Sequence, residues 1–349
     1  MNSWLESMTD DRPMNDALRH AETLVERQQF DLAIEALDAL CRVRSEPQAE
    51  ALLAECRYRA YLADPPRAEW RDPRGSPVQD PFAGIEGIPE IAADELSGDT
   101  LVAGIRCHGA LLVRGLLPQE RAVQLAQGVE RALADRETWG ACGSTTPWYS
   151  RLPLPEESEL AGARLWVESA GGVWTADSPR MLRELIDVFK STGVVDAITG
   201  YFGERPLLSV GKSTLRRVPS TIRLADWHQD GAFMGSDIRS VNLWLSLSHC
   251  GEDASGLEFL PRRLSHVLPT GTHGAHFGWS VGPELVAREA AAGAPVAAPR
   301  FAPGDAMLFD HFFLHRTGIP AAIAKDRYAV ESWFFAPSAY PVQQVPLKL

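Results

Sequence analysis

The chain has 349 residues, 45% of them hydrophobic, which is enough to bury a substantial core in one large domain or two unequal ones. Its 46 acidic residues outweigh 34 basic ones, and the formal charge of -12 opposes association with nucleic acid or anionic membranes. No run of about twenty apolar residues is present to span a bilayer, Met1–Asp10 lacks an apolar signal core, and five scattered cysteines without a CxxC pair read as reduced thiols, so the expectation is a cytoplasmic protein.

In chain order, Ala21, Leu24, Val25, Phe30, Ala33, Ile34, Leu37 and Leu40 recur at three- and four-residue intervals, and Ala51, Leu52, Leu53 and Cys56 repeat the pattern after Pro47. Residues 1–62 are therefore expected as a helical hairpin. The run Phe30–Leu37 resembles part of a tetratricopeptide unit, but one unit cannot build a solenoid. A decorating subdomain is the first reading, and docking of a carrier or partner protein is its rival. Residues 63–97, rich in Pro, Gly, Asp and Arg, read as a linker or irregular arm. Gly109–Val113 reads as a strand, Pro118 opens a helix reaching Leu133, Cys142–Trp174 reads as short strands and loops, and Ser178–Lys190 and Gly193–Phe202 read as helices.

After Pro206 the signal changes to short strands rich in β-branched and aromatic residues: Leu207–Val218, Thr221–Trp227, Arg239–Ser248, Gly256–Phe259, Ala306–Phe309 and Arg327–Phe335. Residues 268–300 interrupt them with glycines, alanines, His273, His276 and Trp279. This insertion is expected to act as a lid whose three named residues contact substrate, with a plain surface excursion as the alternative.

Trp227-His228-Gln229-Asp230-Gly231 carries the chemistry. On a strand, His228 and Asp230 would share a face and offer a nitrogen and an oxygen to a first-row divalent ion; a surface hydrogen-bonding pair is the bland reading. A third ligand must come from elsewhere. Among His249, His266, His273, His276, His311 and His315, the best placed is His315, which ends Phe312-Phe313-Leu314 after the Gly304-Asp305 turn, with His311 as competitor. Two histidines and one carboxylate leave coordination positions open, which suits catalysis.

From about Leu101 to Phe335 the chain resembles the phytanoyl-CoA dioxygenase family of Fe(II)- and 2-oxoglutarate-dependent oxygenases. The likeness rests on Trp227–Gly231, Val241–Leu247, Ser255–Pro261 with Ser265-His266, Pro303-Gly304-Asp305 and His315–Gly318. It implies a mainly β fold with flanking helices, a double-stranded β-helix (jelly roll, cupin-like) core occupying 98–349 beyond the helical hairpin. It assigns the metal, Fe(II), to His228, Asp230 and His315, with 2-oxoglutarate and O2 as cosubstrates. Arg327, twelve residues past His315, is matched to the arginine that pairs with the far carboxylate of 2-oxoglutarate, a task for a permanently charged fork. Thr317 is matched to a hydroxyl on the same carboxylate. Trp244 and Asn242 fall on the strand facing the cosubstrate, Thr214 or Lys212 supplies a further polar contact, and Gln229 lines the pocket edge toward substrate.

Because Asp230 is a carboxylate, the resemblance disfavours halogenation and implies decarboxylation of 2-oxoglutarate to succinate and CO2 coupled to oxidation of a substrate. A small molecule of specialised metabolism is the first expectation for that substrate. A peptide, protein or carrier-bound substrate is the second, and a non-catalytic metal- and ligand-binding jelly roll is the third.

Overall fold

Apolar residues three and four apart wind the amino-terminal segment into helix, but into three helices and not a hairpin: α1 (Arg12–Glu26), α2 (Phe30–Val43) and α3 (Pro47–Ala63). The computed structural model describes residues 12–63, 77–154, 160–235, 237–341 and 343–349, so the arm expected over 63–97 lies partly outside the described residues. Pro47 starts α3 at the position where a missing N–H costs least, and Leu18, Ala21, Leu24, Phe30, Leu37, Leu53 and Cys56 form a core private to the three helices.

The chain continues as β1 (Glu90–Ala92), α4 (Gly98–Ala103), β2 (Ala110–Arg114), α5 (Gln119–Cys142), α6 (Leu160–Ser169), β3 (Gly172–Trp174), α7 (Pro179–Ser191), α8 (Val194–Phe202), β4 (Leu207–Ser209) and β5 (Thr214–Val218). A single turn α9 (Gly231–Met234) follows, then β6 (Ser240–Ser246), β7 (Gly256–Phe259), α10 (Pro283–Ala292), β8 (Ala306–Phe309), β9 (His315–Gly318), β10 (Arg327–Phe335) and β11 (Pro346–Lys348). Among the described residues, nine strands make one sheet along the path β1-β2-β8-β6-β10-β4-β11, with β5 beside β10 and β3 beside β5, while β7 and β9 form a separate pair.

Strand alternation sorts the large sheet into two faces. Val241, Leu243, Leu245, Leu308, Val330 and Phe334 pack under the helices against Leu125, Val129, Leu185, Phe189 and Ile198; each fully buried side chain of this kind contributes about 2 kcal/mol. Trp244, Met307, Phe309, Ala329 and Trp333 occupy the opposite face with Leu257 and Phe259 of the small sheet, and the candidate site is built there.

The expectation of a mainly β jelly roll is not met: among the described residues helix outweighs strand, 42% to 18%, and no sheet closes into a barrel. Thr221–Trp227 has strand composition but pairs with no strand among the described residues, because the turn from Pro219 to Ile222 sends it off the sheet edge. The run expected as one strand, Leu207–Val218, breaks into β4 and β5 where Lys212 N–H is taken by Ser209 Oγ. Segment 268–300, expected as loop, contains α10, whose Leu285 and Val286 bury against Trp227, Leu260, Leu264 and Leu314. Among the described residues no helix is long and apolar enough to cross a membrane.

The amino-terminal helices are docked through buried charge. Glu50, with no exposed side-chain surface, accepts from Arg180 at 2.6 Å and lies 3.3 Å from Arg183, both on α7. Arg57, 1% exposed, forks onto Asp38 at 2.8 and 3.0 Å and donates to the Lys348 carbonyl of β11 at 3.0 Å. Removing one member of such a cluster strands the others without solvent. Glu50→Ala is therefore expected to lower unfolding free energy by about 3 kcal/mol, read by denaturant titration, whereas exposed Glu35→Ala should change little.

Candidate metal centre

Backbone pairing brings the two histidines together. His315 opens β9 opposite Phe259 of β7, and on its other side the N–H of His315 donates to the His228 carbonyl at 3.1 Å while the N–H of His228 returns the bond at 3.0 Å. A doubly hydrogen-bonded antiparallel pair points both side chains to one face, and the ring centroids lie 4.4 Å apart. Asp230 arrives differently from the strand alternation expected of it. Its backbone is helical, φ -65° and ψ -20°, and its carbonyl accepts from Phe233 and Met234 to start α9. A turn therefore swings the carboxylate under the rings. Gly231 makes that turn passable, since a Cβ there would sit 2.8 Å from Val267 Cγ2 and 3.1 Å from the His311 carbonyl oxygen.

The donor set fits a divalent ion. Ligand atoms of His228, Asp230 and His315 all lie within 4.8 Å of one another. Each imidazole gives its Nδ1–H to the carbonyl two residues earlier, His228 to Asp226 and His315 to Phe313, both at 3.0 Å. A carbonyl only accepts, so Nδ1 carries a proton in both rings and Nε2 is the nitrogen left for a metal, as in a metal-binding histidine held by an outer carbonyl. Asp230 Oδ2 stands 3.8 Å from His315 Nε2, and its Oδ1 faces Lys212 Nζ at 3.4 Å. Burial opposes the Asp230 charge, but Lys212, His228 and His315 outweigh it and hold the carboxyl below its usual range.

Burial, followed by the neighbouring His228, pushes the His315 imidazole from 6.5 down to about 4, leaving it neutral and ligand-ready at neutral pH. The folded state then binds fewer protons than the unfolded state between those two values. Stability is full above the unfolded value and lost as pH falls toward the folded one. Metal-free protein is expected to lose about 3 kcal/mol between pH 6.5 and 4 from this residue. Melting curves of the parent and His315→Gln against pH check it, the variant having the flatter profile.

Along β10 the same sheet face carries Arg327, Ala329, Glu331 and Trp333. Arg327 is 1% exposed, donates Nη1 to the Gly256 carbonyl at 2.7 Å, lies 5.6 Å from the Trp244 ring centre, and leaves Nε without a partner. Among the described residues no carboxylate reaches it. Asp326 instead accepts from Ser220 N–H at 2.8 Å, and Glu331 is taken by Arg216 and Thr214, each at 3.2 Å. Burial and Arg216 push the guanidinium down to about 10. Burial works against the Glu331 charge, but Arg216 and Arg327 outweigh it and keep that carboxyl below its usual range. Trp244 Nε1 and Asn242 Oδ1 are also buried without partners on the same face of the sheet. The unpartnered Arg327 and Trp244 N–H groups are donors, the complement of an organic carboxylate.

The other expected residues divide. Arg316, the rival arginine, points away from the centre and pairs with Glu258. Thr317 shares His315's face of β9 by alternation, while Lys212 meets Asp230 and Thr214 meets Glu331. Gln229 does not line a pocket edge: it is fully buried and bonded to the His266 and Phe312 carbonyls and the Leu268 N–H, bolting three loops together. His311 lies behind the centre, with Ser240 at 2.9 Å, and its carbonyl holds Gly231. Of the insertion residues, His273 turns to Thr272, His276 pairs with Asp226 at 3.0 Å, and Trp279 alone reaches the centre, its ring 5.9 Å from that of His228. Sequence reading passed over Phe233, on the turn after Asp230 and 5.4 Å from Trp279. It also passed over the Arg216–Glu331 pair on the site face, although the two-residue period from Arg327 points to Glu331.

The sequence profile of the phytanoyl-CoA dioxygenase family (PhyH) matches residues 105–319. No curated protein matches the chain. Similar solved structures include EvdO2 from Micromonospora carbonacea var. aurantiaca complexed with 2-oxoglutarate (16% identity, 71% of this chain and 91% of that one, TM-score 0.46). Another is the non-heme alpha ketoglutarate dependent carbocyclase SnoK from nogalamycin biosynthesis (13% identity, 70% and 86%, TM-score 0.46). A third is EctD from S. alaskensis with 2-oxoglutarate and 5-hydroxyectoine (16% identity, 74% and 82%, TM-score 0.43).

Proposed function

The chain belongs to the phytanoyl-CoA dioxygenase family and is an Fe(II)- and 2-oxoglutarate-dependent oxygenase; we propose that it hydroxylates a small molecule through iron held by His228, Asp230 and His315. The observation that supports this assignment of residues most strongly is Arg327, a buried guanidinium with no carboxylate partner among the described residues, on the face of the large sheet whose Phe309 packs against His315. A buried cation without an anion is unfavourable, and the distal carboxylate of 2-oxoglutarate completes it.

When bound, the metal supplies oxygen activation coupled to decarboxylation of the cosubstrate. The protein's own contribution is placement. The Asp226 and Phe313 carbonyls fix the histidine tautomers, and Lys212 engages one oxygen of Asp230 while the other faces His315. Arg327 orients the diacid, with Thr317 as an added hydroxyl donor and Trp244 and Asn242 lining its bed. Phe309 and Phe313 wall the His315 ring from water. Trp279 and Phe233 stand beside His228, where substrate enters.

Anaerobic addition of Fe(II) and 2-oxoglutarate should produce the weak visible charge-transfer band of a chelated 2-oxo acid, and oxygen should then yield succinate. Absence of both sinks the reading. Five free cysteines are the reason for placing the protein in a reducing, cytoplasmic compartment. Within residues 1–62, helices α1–α3 are assigned a bracing role for the catalytic unit 98–349, since Glu50 and Arg57 tie them to α7 and β11 instead of presenting charge to a carrier protein.

A further inference from the structure

We infer that the substrate carries an anionic oxygen group, carboxylate or phosphate, on an apolar body, and that Lys212 recognises the charge while Phe233, Trp279 and Phe277 receive the body. This rests on the iron and 2-oxoglutarate reading above and adds the chemical class of the substrate.

The argument is one of charge and position. Around the site stand three cations, Lys212, Arg216 and Arg327, and two carboxylates, Asp230 and Glu331. A divalent metal and a doubly charged diacid cancel, so one positive charge persists among these five groups. Arg216 is matched by Glu331, and Arg327 by the cosubstrate. That leaves Lys212, whose only carboxylate among the described residues is Asp230 at 3.4 Å, an oxyanion that must share its charge with the metal. An ammonium has three donors and Asp230 engages one, which leaves two for a ligand.

Lys212 also stands apart from the cosubstrate end. Its neighbour Ser213 accepts from the Trp333 N–H, six residues and about 20 Å of strand from Arg327. It approaches Asp230 from the side of Phe233, lying 4.7 Å from that ring's centre with its side chain 25% exposed. Phe233 is 45% and Phe277 47% exposed, and Phe277 stacks on Trp279 at 5.2 Å, giving an aromatic wall open to solvent. The acid at this rim, Asp226, is already engaged by His276. An aromatic wall beside one unmatched ammonium selects an amphiphilic anion.

The test uses full-length protein held anaerobically with Fe(II) and 2-oxoglutarate, titrated calorimetrically with 3-phenylpropanoate, phenyl phosphate, 3-phenylpropan-1-ol and 3-phenylpropylamine. One of the two anions is expected to bind about tenfold more tightly than the alcohol, with the amine weakest; which anion leads identifies the headgroup. Lys212→Met should erase the anion's advantage over the alcohol, and Lys212→Arg should restore part of it. The proposal is overturned by an amine equal to the anions, by no probe binding at millimolar concentration, or by a Lys212→Met protein that keeps the preference. Weakened 2-oxoglutarate binding in Lys212→Met with the anion preference intact would make Lys212 a cosubstrate contact, and that also overturns it. The charge-transfer band separates the two levels of failure. If the parent lacks it, the iron reading falls and takes this inference with it; if the parent shows it without anion preference, only this inference falls.

Discussion

Asp230→Ala protein is expected to bind Fe(II) more than about 100-fold more weakly than the parent, exceeding the loss typical when only an outer partner of a ligand is removed, and to form no succinate. Asp230 is the one anionic donor of the three. Without it, two imidazoles remain beside the Lys212 ammonium, which then repels a dication at close range. Asp230→Asn keeps the shape and removes the charge, so it should fall between. The turn α9 hangs from the backbone carbonyl of Asp230, not its side chain, so the metal-free variant should melt near the parent. Anaerobic metal titration with succinate analysis decides the matter, and parental iron affinity in Asp230→Ala would place the metal elsewhere.

Arg327→Leu is expected to move two measurements in opposite directions. Affinity for 2-oxoglutarate should fall by about 100-fold, roughly 3 kcal/mol, the cost of truncating one side of a buried charge pair, while iron affinity stays within a few-fold of the parent. The cosubstrate-free protein should nonetheless be more stable, by about 1–2 kcal/mol, because a buried cation without an anion has been replaced by an apolar side chain. Arg327→Lys should recover little of the binding, since an ammonium lacks the planar fork. Calorimetry of the iron-loaded protein and thermal melts of the cosubstrate-free protein give the two readouts. Unchanged 2-oxoglutarate affinity would pass the role to Arg216.

Much of the site is legible in sequence because its parts are short and local. The ordered motifs around His228, His315 and Arg327 stand in the chain as read, and β7, β8 and β10 begin and end where composition and turn residues place them. The two-residue period of β10 also places Glu331 on the face of Arg327, a signal that sequence reading passed over. Other expectations failed where a local pattern met a non-local decision. Thr221–Trp227 has the composition of a strand, but a strand exists only when an edge is available to pair with it, and the turn at Pro219 removes that edge. Gln229 has the look of a pocket residue and is instead consumed by three backbone partners from loops far along the chain.

By itself, then, the sequence determined which side chains are available for metal and carboxylate chemistry, and in what order, because residue type and two- or three-residue periods are properties of a short stretch of backbone. Only the tertiary structure decided how they meet. The His228–His315 backbone exchange, the turn that carries Asp230 beneath it, the placing of Lys212 on Asp230 and of Trp279 beside His228 all join distant segments. Such contacts form when an entire sheet face is buried at once, and no periodicity within either partner encodes them. The balance of helix over strand has the same origin: the apolar face of the sheet needed cover, and α5, α7 and α8 supply it.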